Sequence, residues 1–499
     1  MANQKAETYG WDTVFAIRVA DVNAAIVRAK SSPPSFSGTG TDPLQGTNFS
    51  LSGTFGDWQI TLGGSGLLIH MATPVPAMNV KTAVKEFQFS DGEFVIEVRL
   101  NYLPHTETPP PNSTGTFHNL VIKQKAAEDE EVVSVVSSRF AEANYDEFRT
   151  DLEAAMIEWF DAHLNDFVHV FATVNLNRTA DQGQFSWILP TTTSYAYIDG
   201  ATVDDGILGI LCMTQGRTAA GLLEEVSPNA IPEGSCAGFL ISPERFLAEL
   251  VLPSMPIVFK GSQTDSFEIG PDNRSIVLKN NQPLQLGQIE HKGTKYSPLL
   301  QRLEISTTAG QITMDVQTMV EPSWEIYSYS HNVNSYDITL HTIGTGANAG
   351  QQTLFYAAPP PPYKPVDEHW NETGAGVEIL EIIQKIITAL LVIIIGVVTE
   401  GAGLVAAALI LGVLSGVASE IPSIIAAANT DDAPPIGMLR FNCIDPIRWT
   451  DQADFTLDQA AMNLSLQLGG TPHFSASHMA TQVASGWLPA PAIQKEFIR

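Results

Sequence analysis

The 499-residue chain reads as an α+β protein in two halves, each with long amphipathic helices packed on curved antiparallel β-sheet. Three observations predict this. Apolar residues recur at helical spacing in a few separated stretches. Runs that alternate apolar and polar residues fill the intervals between them. No regular strand–helix rhythm of the parallel α/β kind is present. The order helix, strands, helix, strands occurs twice and divides near residue 235, as a pattern without sequence identity. Residues 1–235 are expected to form the N-terminal half and 236–499 the C-terminal half.

Residues 11–29 read as the first amphipathic helix, with Trp11, Val14, Phe15, Val22 and Ile26 on its apolar stripe. Ser31-Ser32-Pro33-Pro34 ends it, and a Ser/Gly/Thr/Pro stretch runs to Gly46. From Asn48 to about Phe140 the runs FSLSGTF, WQITL, EFVIEVRL and FHNLVIK read as strands. Ser90-Asp91-Gly92 and the Pro-rich loop at 108–112 read as the turns between them. A second amphipathic helix is expected over about 145–165. Its stripe is Phe148, Leu152, Met156, Trp159 and His163, and Asp146 and Glu147 sit at its positive N-terminal end. Strands resume with FVHVFATVNL and ILGILCM.

Ser242 followed by Pro243 signals a third helix, capped by the hydroxyl and started by the proline, running through ERFLAELVL to Pro253. Alternating strands are expected at about 257–356, and Pro359–Pro362 marks a break. An apolar helical segment fills 377–428, and strands at 436–449 and 454–469 close the chain. Within that segment, 386–419 is almost purely apolar and broken by Glu400. A membrane span takes about 20 apolar residues. The first part, IITALLVIIIGVVT, is too short for that, and the second, rich in Gly and Ala, only just reaches it. The expectation is a buried or lipid-facing helical hairpin. Membrane contact through 386–419 is the alternative.

The formal charge of −28 argues against nucleic acid and against electrostatic attraction to anionic membranes. Cys212, Cys236 and Cys443 are far apart, so neither a disulfide framework nor a structural zinc site is expected. The opening MANQKAETYGWD has no apolar core, so the expectation is synthesis in the cytoplasm without a signal peptide, with any extracellular role reached by another route.

No catalytic or metal motif emerges, and no cofactor is expected. Gly234-Ser235-Cys236-Ala237-Gly238 has the form of a nucleophile elbow, but that motif needs a strand before it and a helix after it, and a strand-like GFLI follows. Gly63-Gly64-Ser65-Gly66 lacks the lysine and spacing of a phosphate loop and reads as a turn between strands. The eleven histidines form no H-E-x-x-H pattern. His163 and His169 flank a helix end, where satisfied buried or surface histidines are expected rather than a metal. The acidic pairs Asp204-Asp205 and Asp431-Asp432 fall in loop-like contexts. A non-enzymatic protein is expected.

Thr8-Tyr9-Gly10-Trp11-Asp12 resembles the start of the clostridial 47-kilodalton protein family of botulinum OrfX-type toxin clusters. Gly56-Asp57-Trp58-Gln59-Ile60 with Gly63–Gly66 resembles a second block of that family. Phe239-Leu240-Ile241-Ser242, continuing to Phe246-Leu247 and Leu252-Pro253, resembles a third. The family is grouped with the tubular lipid-binding (TULIP) proteins. The resemblance therefore implies two TULIP-like halves, an apolar groove between helix and sheet, and an accessory role beside other toxin-cluster proteins. The groove is expected to hold a lipid or other apolar ligand on Trp11, Val14, Phe15, Val22 and Ile26 and on Phe148, Leu152, Met156 and Trp159. A membrane-active effector with an insertable 386–419 hairpin, and a scaffold for a toxin component, are the alternatives.

Overall fold

The computed structural model describes residues 5–42, 47–104, 115–127, 130–176, 186–259, 261–291, 293–323, 326–342, 350, 352–357, 366–371 and 445–474. The apolar segment 377–428, the proline run at 359–362 and the loop at 108–112 lie outside these residues, and so do Cys443 and Asp431-Asp432. The described protein is mostly antiparallel β-sheet with few helices.

The largest sheet has 13 strands. At its centre stands β1, Thr13–Arg18, paired with Ile207–Thr214 on one side and Ala237–Ile241 on the other. The sheet continues from Ala237–Ile241 to Ser465–Phe474 and Gln452–Asn463. In the other direction it passes through Pro190–Ile198 and Gln59–Gly66 to the long hairpin Leu68–Lys81/Glu86–Val98. Strands from both sides of residue 235 thus share one ladder. A second sheet of 8 strands is built mainly from Leu299–Thr307, Ile312–Ser323 and Ile326–Thr342, and a third of 4 strands joins Val170–Leu176 to Thr116–Ile122.

The expected helix over 11–29 is corrected by the structure. Residues 13–18 are strand, and the helix α1 spans only Val19–Ala29. The reason is burial on both faces. Phe15 and Ile17 enter the large core, while Val14 and Ala16 enter a smaller core on the other side, under residues 219–231. A strand covered on both faces reads as a continuous apolar run, which period alone does not separate from a helix. α1 is capped at its C-terminal end by Lys30 in the left-handed conformation, with the N–H of Lys30 on the Val27 carbonyl and that of Ser31 on Ile26.

The second helix appears close to its expected place. α2 spans Arg149–His163, flanked by tight turns at Ala143–Glu147 and Leu164–Asp166. It packs on strands Ser35–Asp42 and Val133–Arg139. At 15 residues it is the longest described helix, shorter than the sequence reading anticipates. The third is shorter again. Ser242 caps Pro243–Phe246 as expected, its Oγ accepting the Arg245 N–H at 3.3 Å, but the chain then widens into a π turn over Leu247–Val251.

One turn reading also changes. Asp91, with φ of 47°, and Gly92 kink the strand Glu86–Val98 from within rather than ending it. The hairpin turns instead at Thr82–Lys85, where the Thr82 N–H donates to the Lys85 carbonyl. Gly63–Gly66 does close one strand and turn into the next, Ser65 facing Leu68 across the hairpin.

Candidate binding core and the family clasp

The predicted groove residues fall on two sides of the sheet. Phe15 from β1, Val22 and Ile26 from α1, and Leu152, Met156 and Trp159 from α2 belong to one buried core, and Phe148 packs against its edge. Trp11 and Val14 do not join them. They lie in the smaller core with Leu211, Val226 and Leu240. Neighbouring positions of a strand point to opposite faces, so Val14 and Phe15 are held apart by the sheet itself.

Sequence reasoning does not anticipate the aromatic centre of the large core. The ring of Trp58 stacks on Phe167 at 5.2 Å and meets Phe160 edge-on at 5.5 Å. Phe55 packs 5.3 Å from Trp159, and Phe36 sits 4.7 Å from Phe55. These contacts tie α2 to the strands around Gly56-Asp57-Trp58. Phe160 is legible, since it continues the i, i+4 spacing of Leu152 and Met156. Phe55 closes the alternating run FSLSGTF just beyond the end of its strand, while Phe36, near a strand start two residues after Pro34, carries no periodic signal.

α1 is fastened by one side chain. Asn23 Nδ2 donates to the Ile60 carbonyl at 3.0 Å, and its Oδ1 accepts the Ile60 N–H at 2.8 Å. A buried asparagine thereby satisfies the edge backbone of strand Gln59–Gly66. The far end of α1 is fastened through Ser31, whose Oγ lies 3.0 Å from His169 Nδ1 and whose carbonyl accepts the Val168 N–H. His169 is 2% exposed, and burial pushes its imidazole down to about 3, with nearby Arg28 acting in the same direction. It packs edge-on against Phe171 at 4.9 Å.

The residues that carry the family resemblance form a clasp rather than a catalytic array. The Thr8 carbonyl accepts the Trp11 N–H in a tight turn with Tyr9 and Gly10 at positive φ, the second at 91°, a conformation glycine adopts without strain. Trp11 is buried and its Nε1 donates to the Leu223 carbonyl at 2.9 Å. Asp12, 1% exposed, accepts both the N–H and the hydroxyl of Thr214 at 2.8 Å and Arg217 Nη1 at 2.8 Å. Arg217 reaches on to Glu244 with two contacts of 2.9 and 3.0 Å from Nη2. The Asp12 carbonyl accepts the Ser242 N–H. The first and third blocks are thus adjacent strands, Phe15 facing Phe239 and Thr13 facing Ile241. Gly238 lies so close to the Ala230 carbonyl that a Cβ would stand 2.0 Å from its oxygen.

Chemistry elsewhere is sparse. Among the described residues no group of three or more His, Cys, Asp or Glu is placed to hold a metal ion, and no helix is long and apolar enough to cross a membrane. Cys236 is exposed and is followed directly by the strand Ala237–Ile241, not by a helix. Cys212 is buried, and desolvation pushes its thiol up to about 12. His163 does not join a ligand set. It stacks on Trp159 at 4.5 Å and contacts the Trp159 carbonyl through Nδ1.

Comparison with known proteins agrees with this geometry. A protein named OrfX3 from Paraclostridium bifermentans is 30% identical over 498 residues, covering 94% of this chain and 99% of the relative. OrfX3 of Clostridium botulinum (strain Kyoto / Type A2) is 29% identical over 496 residues, covering 93% and 98%. Protein P47 of the same strain is 24% identical over 246 residues, which is 49% of this chain and 55% of P47. Among solved structures, P47 from C. botulinum A2 superposes with a TM-score of 0.57 at 17% identity, covering 94% of this chain and 98% of that one. P47 of C. botulinum E1 gives 0.58 at 16% identity, covering 94% and 100%. At those identities the two structures show a shared fold. The family model described as OrfX-like, Protein OrfX2/OrfX3/P47, matches residues 8–470, from the turn of the clasp into the last strand of the largest sheet, and the chain belongs to that family.

Proposed function

We propose that this chain is a non-enzymatic accessory protein of a toxin-type gene cluster that works by binding, and that its ligand is a lipid or other apolar molecule held between TULIP-like helix and sheet layers. The observation that supports this is the convergence of Phe15, Val22, Ile26, Leu152, Met156 and Trp159 on one core, although they come from three elements, the third far along the chain from the first two. An acyl chain laid along such a surface gains about 0.8 kcal/mol per buried methylene. Native and denaturing mass spectra of the purified chain test it. A mass excess that vanishes on denaturation and extracts as lipid is expected. Identical masses overturn it.

One observation favours a second reading. All six of those side chains are already covered by protein neighbours, so an apolar ligand enters among them only by displacing packed side chains. A closed core suits a scaffold that presents its acidic surface to other cluster proteins. On that reading the chain co-purifies with neighbouring gene products and carries no lipid. Loss of the complex on raising the salt concentration would mark the contact as electrostatic.

A further inference from the structure

The outer face of the 8-stranded sheet holds a histidine that neither the core nor the clasp uses. Strands Ile312–Ser323, Ile326–Thr342 and Val366–Asn371 lie side by side, so His331 in the middle strand has a neighbouring strand on each side. Met314, Val316 and Val320 of the first strand point inward and are buried, and the intervening Asp315 faces out with His331. Strand register sets Glu368 directly opposite His331. The neighbouring row is filled by Tyr329 and Trp370, whose rings stack on each other with centroids 5.4 Å apart and an interplanar angle of 9°.

The His331 ring is held from one side. Its Nε2 lies 2.9 Å from Asp315 Oδ1, and a carboxylate only accepts, so Nε2 carries a proton. Arg302 Nη2 holds the other Asp315 oxygen at 3.1 Å. On the opposite side of the ring, Nδ1 stands 3.7 Å from Glu368 Oε2. A charge-assisted hydrogen bond would draw those two atoms to about 2.7–2.9 Å. At the observed distance no shared proton joins them, and Nδ1 and the carboxylate face each other as two acceptors.

We propose that His331 Nδ1 and Glu368 Oε2 bind a divalent transition-metal ion of the zinc class. Distance selects a single ion. Two atoms each about 2.1 Å from one zinc, at a tetrahedral angle, are about 3.4 Å apart, close to the observed 3.7 Å. Charge selects a cation, since the carboxylates of Glu304, Asp315 and Glu368 outnumber the Arg302 guanidinium around the ring. Ligand type selects the metal, because calcium and magnesium take oxygen ligands while an imidazole nitrogen suits zinc, copper and nickel. Asp315 completes the pattern. A histidine bound to a metal through one nitrogen donates the other N–H to a carboxylate, which fixes the ring and raises its basicity, and Asp315 sits where that carboxylate belongs. Two protein ligands leave two of the four zinc positions to water, so the site is open and exchangeable. It lies apart from the helix–sheet core, so this inference does not depend on the apolar ligand proposed above.

The test is calorimetric titration of the full, tag-free, chelator-treated chain with zinc chloride. Micromolar binding is expected. His331→Ala should abolish it and Glu368→Gln should weaken it by about tenfold or more, with the circular dichroism spectrum unchanged. Asp315→Asn should weaken it about tenfold and shift the visible bands of the cobalt-loaded chain, which a purely structural role would leave in place. Glu368 is 65% exposed and Glu368→Gln is isosteric, so that variant reports even where His331→Ala perturbs the sheet. Absence of zinc binding at submillimolar concentration, or binding left unchanged by either His331→Ala or Glu368→Gln, overturns the proposal.

Discussion

Asp12 and Arg217 are 205 positions apart and meet at 2.8 Å, with the carboxylate buried and the guanidinium about one-third exposed. The contact closes the turn that opens the central strand onto the loop after strand Ile207–Thr214, and Arg217 extends it to Glu244 beyond the next strand. Two segments that flank β1 are thereby locked in register. Asp12→Ala removes the acceptor for Arg217 and for both Thr214 donors, and should cost about 3 kcal/mol. Arg217→Ala should cost about 1 kcal/mol, because solvent screens that partner. Urea denaturation of the two variants and the double variant gives the coupling. Equal effects from the two single changes would show that the ion pair, rather than the Thr214 bonds, dominates.

His169 makes the fold sensitive to acid. Its folded value near 3 lies below the ordinary 6.5, so between those two pH values the unfolded chain takes up a proton that the folded one refuses. The contribution is intact above pH 6.5 and is lost progressively toward pH 3, on the order of 5 kcal/mol in all. Denaturant midpoints measured from pH 7 to pH 4 should fall steeply in the wild type and less steeply in His169→Asn. Parallel slopes would remove His169 from the account.

Met156 lies at the centre of α2 and is fully buried in the large core. Met156→Ala should destabilise by roughly 2–5 kcal/mol, the usual range for emptying a packed site. The same variant also separates the two functional readings. A packed core gives a plain loss of melting temperature, while a lipid-filled one gives a change in the amount or chain length of extracted lipid.

The cysteines should divide by reactivity. Cys236 is exposed, and Cys212 is buried with its thiol raised to about 12 by desolvation. Alkylation of the native chain at pH 8, followed by peptide mapping, should label Cys236 and leave Cys212 unmodified until denaturant is added. Rapid native labelling of Cys212 would mean that the central sheet opens locally.

Local pattern alone makes α2, the strands of 48–140 and the Ser242 cap legible in the sequence. Each depends on neighbours close in the chain, namely i, i+4 spacing, alternation, and a hydroxyl followed by proline. Phe15, Val22, Ile26, Leu152, Met156 and Trp159 are also identifiable as core, because a large apolar side chain at a periodic position has few other places to go. The Tyr-Gly-Trp-Asp opening points to the family, while its physical purpose shows only in the folded clasp.

Long-range contacts decided the rest. Whether 13–18 is helix or strand rests on what covers each face, and the covers are residues 219–231 on one side and the large core on the other. The separation of Trp11 and Val14 from Phe15 follows from that strand and from nothing in their spacing. The parallel rings of Tyr329 and Trp370 come from a cross-strand register between segments about 40 residues apart. Composition and periodicity are properties of short windows, so the sequence determined which residues are apolar, where α2 falls and which family the chain resembles. The pairing of distant strands, fixed by mutual burial and by contacts such as Asp12 with Arg217, is a property of the whole fold, and it alone decided which of those apolar residues share a surface.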